Sequence, residues 1–99
     1  MKAKLICYTL GKVDNRVRSK FKREFFGYLD KSNKGMYKYE RKGLLMNIPN
    51  SRPIRSAVIV KDEDELSVIQ FLKKYEATIK TYEIIVEADE LKIPLLVTR

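Results

Sequence analysis

Five cations fall within eight consecutive residues: Arg16, Arg18, Lys20, Lys22 and Arg23. Side chains of this type at this density are suited to neutralising phosphate, which releases counterions and makes binding salt-dependent. On a helix, each residue turns by about 100°. Arg16, Ser19 and Arg23 then form a ridge about 10 Å long, with Lys20 and Lys22 flanking it. Val17, Phe21 and Phe25 lie opposite. Only Glu24 and the terminal Asp14 offset the five cations, whereas a solvated face ordinarily mixes signs. The competing reading is the charged outer face of an ordinary amphipathic helix. Phe26 projects toward the basic side, where it could stack on a base or be covered by a neighbouring subunit.

A second group follows. Tyr37, Lys38, Tyr39, Glu40, Arg41 and Lys42 alternate aromatic and charged side chains. On a strand, Tyr37, Tyr39 and Arg41 share one face. Aromatic and guanidinium planes on an open sheet face are surfaces on which unpaired bases stack. The same tyrosines could instead pack under helices or into a dimer contact. Lys31, Lys34, Arg52 and Arg55 add cations in the flanking loops. The RNA-recognition motif carries a basic–Gly–aromatic signature with two further aromatics on its third strand. Residues 54–60 (IRSAVIV) lack it, which argues against readout of that type.

Other chemistries are poorly represented. The chain has no histidine. That excludes Ser–His and Cys–His nucleophilic pairs, a histidine general base and ordinary His-ligated zinc. Asp62, Glu63, Asp64 and Glu65 form a tight acidic cluster able to meet Mg²⁺ or Ca²⁺ through oxygen. The simpler reading is a helix start, where negative charge faces the positive end of the dipole. Glu87, Asp89 and Glu90 read as a solvated acidic turn. Cys7 reads as a small core residue on a strand. No catalytic residue, metal ligand or cofactor is assigned.

Charge is divided along the chain. Residues 1–60 carry a net +11 and residues 61–99 a net −3, which together make the overall +8. A basic half of this kind points to a polyanion, most often nucleic acid, DNA or RNA. The 99 residues are 44% hydrophobic and 34% charged, enough for one domain with its own core, spanning residues 1–99. A single cysteine excludes an internal disulfide and suits a reducing cytoplasm. The start (MKAKLICYTLGK) holds an apolar stretch too short for a signal peptide. No run approaches the roughly 20 apolar residues of a membrane span. Abundant Lys, Glu, Ile and Tyr with a single Gln, Gln70, lean toward a thermophilic, archaeal composition.

The elements that must position these residues follow from periodicity and punctuation. Residues 4–10 (KLICYTL) read as a strand, stopped at Gly11. Asp14 can cap a helix reaching about Leu29. Residues 30–35 (DKSNKG) are a turn. An extended stretch from Tyr37 to Ile48 follows, with a bend or bulge at Gly43. Residues 49–53 (PNSRP) mark a loop. IRSAVIV is a strand. Asp62 or Asp64 caps a second helix to about Tyr75. Ile79–Val86 is a strand, and Leu91–Val97 a short edge strand limited by Pro94. The order β-α-β-β-α-β predicts an α+β, ferredoxin-like domain, with two helices on one face of an antiparallel sheet.

LICYTL, the Arg-rich helix DNRVRSKFKREF and the Ser56-containing IRSAVIV strand, followed by a capped helix and IKTYEIIV, carry a resemblance. The chain resembles the small ferredoxin-like CRISPR-associated subunit that pairs with the integrase in spacer acquisition, and its toxin-nuclease relatives. The resemblance implies a homodimer that binds duplex nucleic acid. Those relatives end their first strand with Tyr-Asp, and the aspartates of two subunits are proposed to hold a metal. Here the pair is Tyr8-Thr9, and Thr9 cannot supply a carboxylate. The expectation is therefore a nucleic-acid binder of low sequence specificity acting through Arg16, Arg18, Lys20, Lys22 and Arg23, extended by Lys38, Arg41, Arg52 and Arg55. A metal-dependent nuclease of that family, or a structural subunit of a ribonucleoprotein, are the alternatives.

Overall fold

The computed structural model describes residues 1–32 and 35–94, with only the backbone of Ser32. Its architecture is α+β. The strands are β1 (Lys2–Thr9), β2 (Tyr28–Ser32), β3 (Tyr37–Arg41), β4 (Asn50–Ser51), β5 (Ala57–Lys61) and β6 (Thr78–Ile85). The helices are α1 (Asn15–Phe26) and α2 (Glu65–Lys74). Four strands form one antiparallel sheet in the order β4-β5-β1-β6. β2 and β3 form a separate antiparallel hairpin.

β1 is central and pairs on both edges, with Ile6 opposite Val58 of β5 and Thr81 of β6. Its alternating residues Ile6 and Tyr8 point into the main core, beside Val58 and Val60. Helix α1 supplies Phe21 and Phe25, four residues apart and therefore on one face. Helix α2 supplies Val68 and Leu72 by the same spacing. Phe25 stacks on Phe71 of α2 at 5.1 Å between centroids, so aromatic packing ties the two helices together. A second cluster joins Ala3, Val86 and Leu91, beside Ile59 and Ile84.

Local chemistry sets the helix limits. The Asp14 carboxylate accepts the Val17 backbone N–H at 3.0 Å, the capping contact expected from sequence. Gly27 ends α1 with φ 78°, a left-handed turn suited to glycine, and its N–H donates to the Arg23 carbonyl at 2.9 Å. The helix thus stops three residues before the expected Leu29, and Tyr28 and Leu29 open β2 instead. Gly43 packs against this turn: a Cβ there would lie 2.7 Å from the backbone carbonyl carbons of Phe25 and Phe26. The two glycines pin the root of the hairpin to the end of α1.

Four sequence expectations need correction. The stretch from Tyr37 to Ile48 is not one strand of the main sheet. It ends as a strand at Arg41 and continues as a 3₁₀ turn, Leu44–Asn47, which buries Leu45 and Met46. The main sheet takes its outer strand from Asn50–Ser51, in the segment read as a loop, so its strand order differs from the expected one. Buried Asn50 fixes that segment, its side-chain amide donating to the carbonyls of Leu45 at 2.8 Å and Ile48 at 2.7 Å. The strand read at residues 54–60 begins only at Ala57, because Ser56 turns the chain with φ 66°. The expected last strand is reduced to Lys92, which bridges Asn50; residues 95–97 lie outside the described residues. Among the described residues, no helix is long and apolar enough to cross a membrane.

Candidate nucleic-acid interface

Helix α1 divides its cations between two flanks. Arg18 and Lys22 lie one turn apart on the first. Lys20 and Glu24 lie one turn apart on the second, and their charged groups are 4.0 Å apart. Arg16 and Arg23 occupy the outer crest. The expected ridge is therefore exposed, but its two sides differ in charge.

The second flank is partly neutralised. Glu24 also accepts from Lys74 at 3.1 Å and from the Tyr75 hydroxyl at 2.6 Å, tying α1 to α2. Tyr75's hydrogen bond, foremost, with Lys74 and Lys20 behind it, holds the Glu24 carboxyl below its usual range, against a smaller opposing effect of burial. Burial first, then the bond to Glu24, pushes the Tyr75 phenol up to about 12. Arg23 reaches over the Tyr28 ring at 5.9 Å.

The first flank forms one wall of a cleft of about 590 Å³. Arg52, Ile54 and Arg55 form the facing wall, and the buried Tyr8 and Phe21 lie at its base. Local structure builds this wall. Pro53 precedes the turn, Ala57 N–H donates to the Ile54 carbonyl at 3.3 Å, and the left-handed Ser56 lets its own carbonyl accept the Tyr8 N–H at 3.0 Å. The loop is thereby stapled to the end of β1, and both arginines line the cleft. A non-glycine residue in this conformation costs on the order of 1–3 kcal/mol, which the strand register must offset.

Further contacts fix the cations. The Arg18 guanidinium donates to the Gly11 carbonyl at 3.4 Å. The Arg52 guanidinium lies 4.5 Å from the centre of the Phe26 ring. Phe26, which sequence placed on the basic side, is thus half-buried against Phe25 and Phe21 and supports an arginine. Burial pushes the Tyr8 phenol above its usual value, and the charge of Arg52 acts against that rise. Among the described residues, no carboxylate forms an ion pair with Arg18, Lys22, Arg52 or Arg55, and none lines the cleft.

The aromatic group lies elsewhere. Tyr37 and Tyr39 are 53% and 48% exposed on the hairpin, so they do not pack under the helices, nor do they stand on the main sheet. Arg41 pairs with Asp30 at 3.3 Å and lies 5.7 Å from the Tyr39 ring centre. Lys38 is exposed on the opposite hairpin face. The structure therefore brings Arg18, Lys22, Arg52 and Arg55 together, leaves Arg16, Lys20 and Arg23 on the crest and far flank, and sets Tyr37, Lys38, Tyr39 and Arg41 apart.

Sequence reasoning did not single out Ile54, 71% exposed at the cleft, or the role of Ser56. Pro53 was the one available signal. The acids take structural positions. Asp14 is engaged as a cap, and Asp62–Asp64 form a 3₁₀ turn leading into α2. Among the described residues, no group of three or more Cys, Asp or Glu side chains is close enough to hold a metal ion. Cys7 is half-buried on β1. No protein-family model, curated protein or solved structure matches this chain.

Proposed function

We propose that the chain binds nucleic acid by neutralising phosphates along the Arg18–Lys22 flank of α1 and the facing Arg52–Arg55 loop. One observation carries this reading: four cations from two distant segments share one cleft, and among the described residues no carboxylate offsets them. Like charges held together raise the energy of the empty site, and a polyanion relieves it. Arg16 and Arg23 extend the surface along the crest, and the hairpin tyrosines offer stacking planes. Sequence specificity is weak, because phosphate contacts carry no base information. With Asp14 engaged as a cap, binding is favoured over cleavage. Titration against single- and double-stranded DNA and RNA at several salt concentrations tests it. Four phosphate contacts give a log–log slope of about −3 for single strands. Binding that is flat with salt, or absent for all four, would refute it.

The main sheet is further proposed to be a ferredoxin-like one in which the β2–β3 hairpin is an insertion. In support, β1 lies between β5 and β6, antiparallel to both, and both helices feed one core. A second copy of the chain is the proposed partner on the outer edge of β6. Among the described residues, its eight positions have no strand on that side, and antiparallel pairing of β6 with itself is compatible with two-fold symmetry. Sedimentation equilibrium would return twice the 11.7 kDa chain mass; a monomer at every concentration contradicts the dimer.

A further inference from the structure

We propose that the cleft between α1 and the 52–57 loop holds the 5′-phosphorylated terminal nucleotide of a nucleic-acid strand. This rests on the nucleic-acid reading above and goes beyond it by naming the part of the strand that enters. The cleft's volume of about 590 Å³ lies in the range of small-ligand pockets, roughly 300–1,000 Å³. An internal phosphodiester carries one negative charge. A terminal phosphate monoester carries about −1.5 to −2 at neutral pH and offers three acceptor oxygens. Four cations on two facing walls, with no carboxylate between them among the described residues, match the monoester better than the diester.

The same cleft offers a place for the base. Arg52 is exposed while Phe26 supports its guanidinium at 4.5 Å, and the plane so fixed is a stacking surface. Ile54 stands beside it, exposed and apolar. Phosphate charge and base stacking together require a nucleotide rather than a bare anion. The cleft also opens from the helix that carries Arg16 and Arg23 on its crest, so the following phosphates have cations to follow outward. That continuity favours a strand end over a free mononucleotide.

Competition binding tests this. A 3′-labelled, 5′-phosphorylated single strand is displaced by unlabelled competitors: the same strand with a 5′-hydroxyl, the same strand with only a 3′-phosphate, and the free nucleoside 5′-monophosphate. The 5′-phosphorylated strand is expected to bind about ten-fold more tightly than the 5′-hydroxyl strand. Arg18→Ala with Arg55→Ala should reduce that ratio to about two-fold or less. Arg16→Ala with Arg23→Ala should weaken both strands and keep the ratio. All four side chains are exposed, and circular dichroism checks that the variants fold. Equal affinity for the 5′-phosphate and 5′-hydroxyl strands, with salt-dependent binding intact, overturns the end site and leaves the general reading standing. Equal affinity for the 3′-phosphorylated strand, or for the free mononucleotide, also overturns it. No binding to any strand overturns both.

Discussion

Glu24 does for the far flank of α1 what, among the described residues, no acid does for the near one. It accepts the Tyr75 hydroxyl and the Lys74 ammonium and lies beside Lys20, so one carboxylate quiets that side and joins the two helices. Its pKa is lowered by folding. The stability it contributes is therefore present above the ordinary carboxylate range, near 4.5, and is lost as pH falls through the folded value. Tyr75 behaves in the opposite sense. Its phenol is raised by folding, so its contribution is complete below about 10 and is lost as pH rises toward about 12. Glu24→Gln should cost about 1 kcal/mol at neutral pH, since the side chain is partly exposed. Urea unfolding at pH 7 and pH 3 checks this: the gap between wild type and variant should shrink at pH 3. A gap of the same size at both pH values would contradict the assignment.

At the scale of elements, the β2–β3 hairpin is a separate unit. Its root is held by the contact of Gly27 with Gly43, and every residue of β3 is exposed. Tyr37→Ala with Tyr39→Ala should therefore leave the unfolding midpoint nearly unchanged, within about 0.5 kcal/mol. The same pair should weaken single-strand binding by about 1–3 kcal/mol for each base that stacks. Calorimetry and anisotropy on one preparation separate the two effects, and a large loss of stability would place the tyrosines in the core. The hairpin also marks the limit of what periodicity can reveal. β1, α1, β5 and α2 are legible because Ile6 and Tyr8, Phe21 and Phe25, Val58 and Val60, and Val68 and Leu72 repeat at strand or helix spacing. The end of α1 is not, because Tyr28 and Leu29 continue the apolar spacing past Gly27, whose left-handed turn breaks the helix. The Arg52–Arg55 wall reads as loop and strand in the sequence, since nothing local to Ser56 announces a positive φ. The cations were visible in the sequence; their convergence depends on that turn and on the tether of Ser56 to Tyr8.

At the scale of the molecule, the positive charge resolves into paired and unpaired sets. Lys2, Lys20, Arg41 and Lys74 each have a carboxylate within 4.0 Å, whereas Arg18, Lys22, Arg52 and Arg55 share a cleft without one among the described residues. Net charge alone cannot distinguish these sets, because replacing either with alanine removes four positive charges. The salt dependence of binding can. Single-stranded nucleic acid is titrated from low to moderate salt against wild type, the cleft variant Arg18→Ala/Lys22→Ala/Arg52→Ala/Arg55→Ala, and the charge-matched variant Lys2→Ala/Lys20→Ala/Arg41→Ala/Lys74→Ala. The cleft variant should lose about 3 from the log–log slope, and the charge-matched variant should keep most of it. Equal losses in the two variants, or a wild-type slope near zero, would contradict the cleft as the site of phosphate binding.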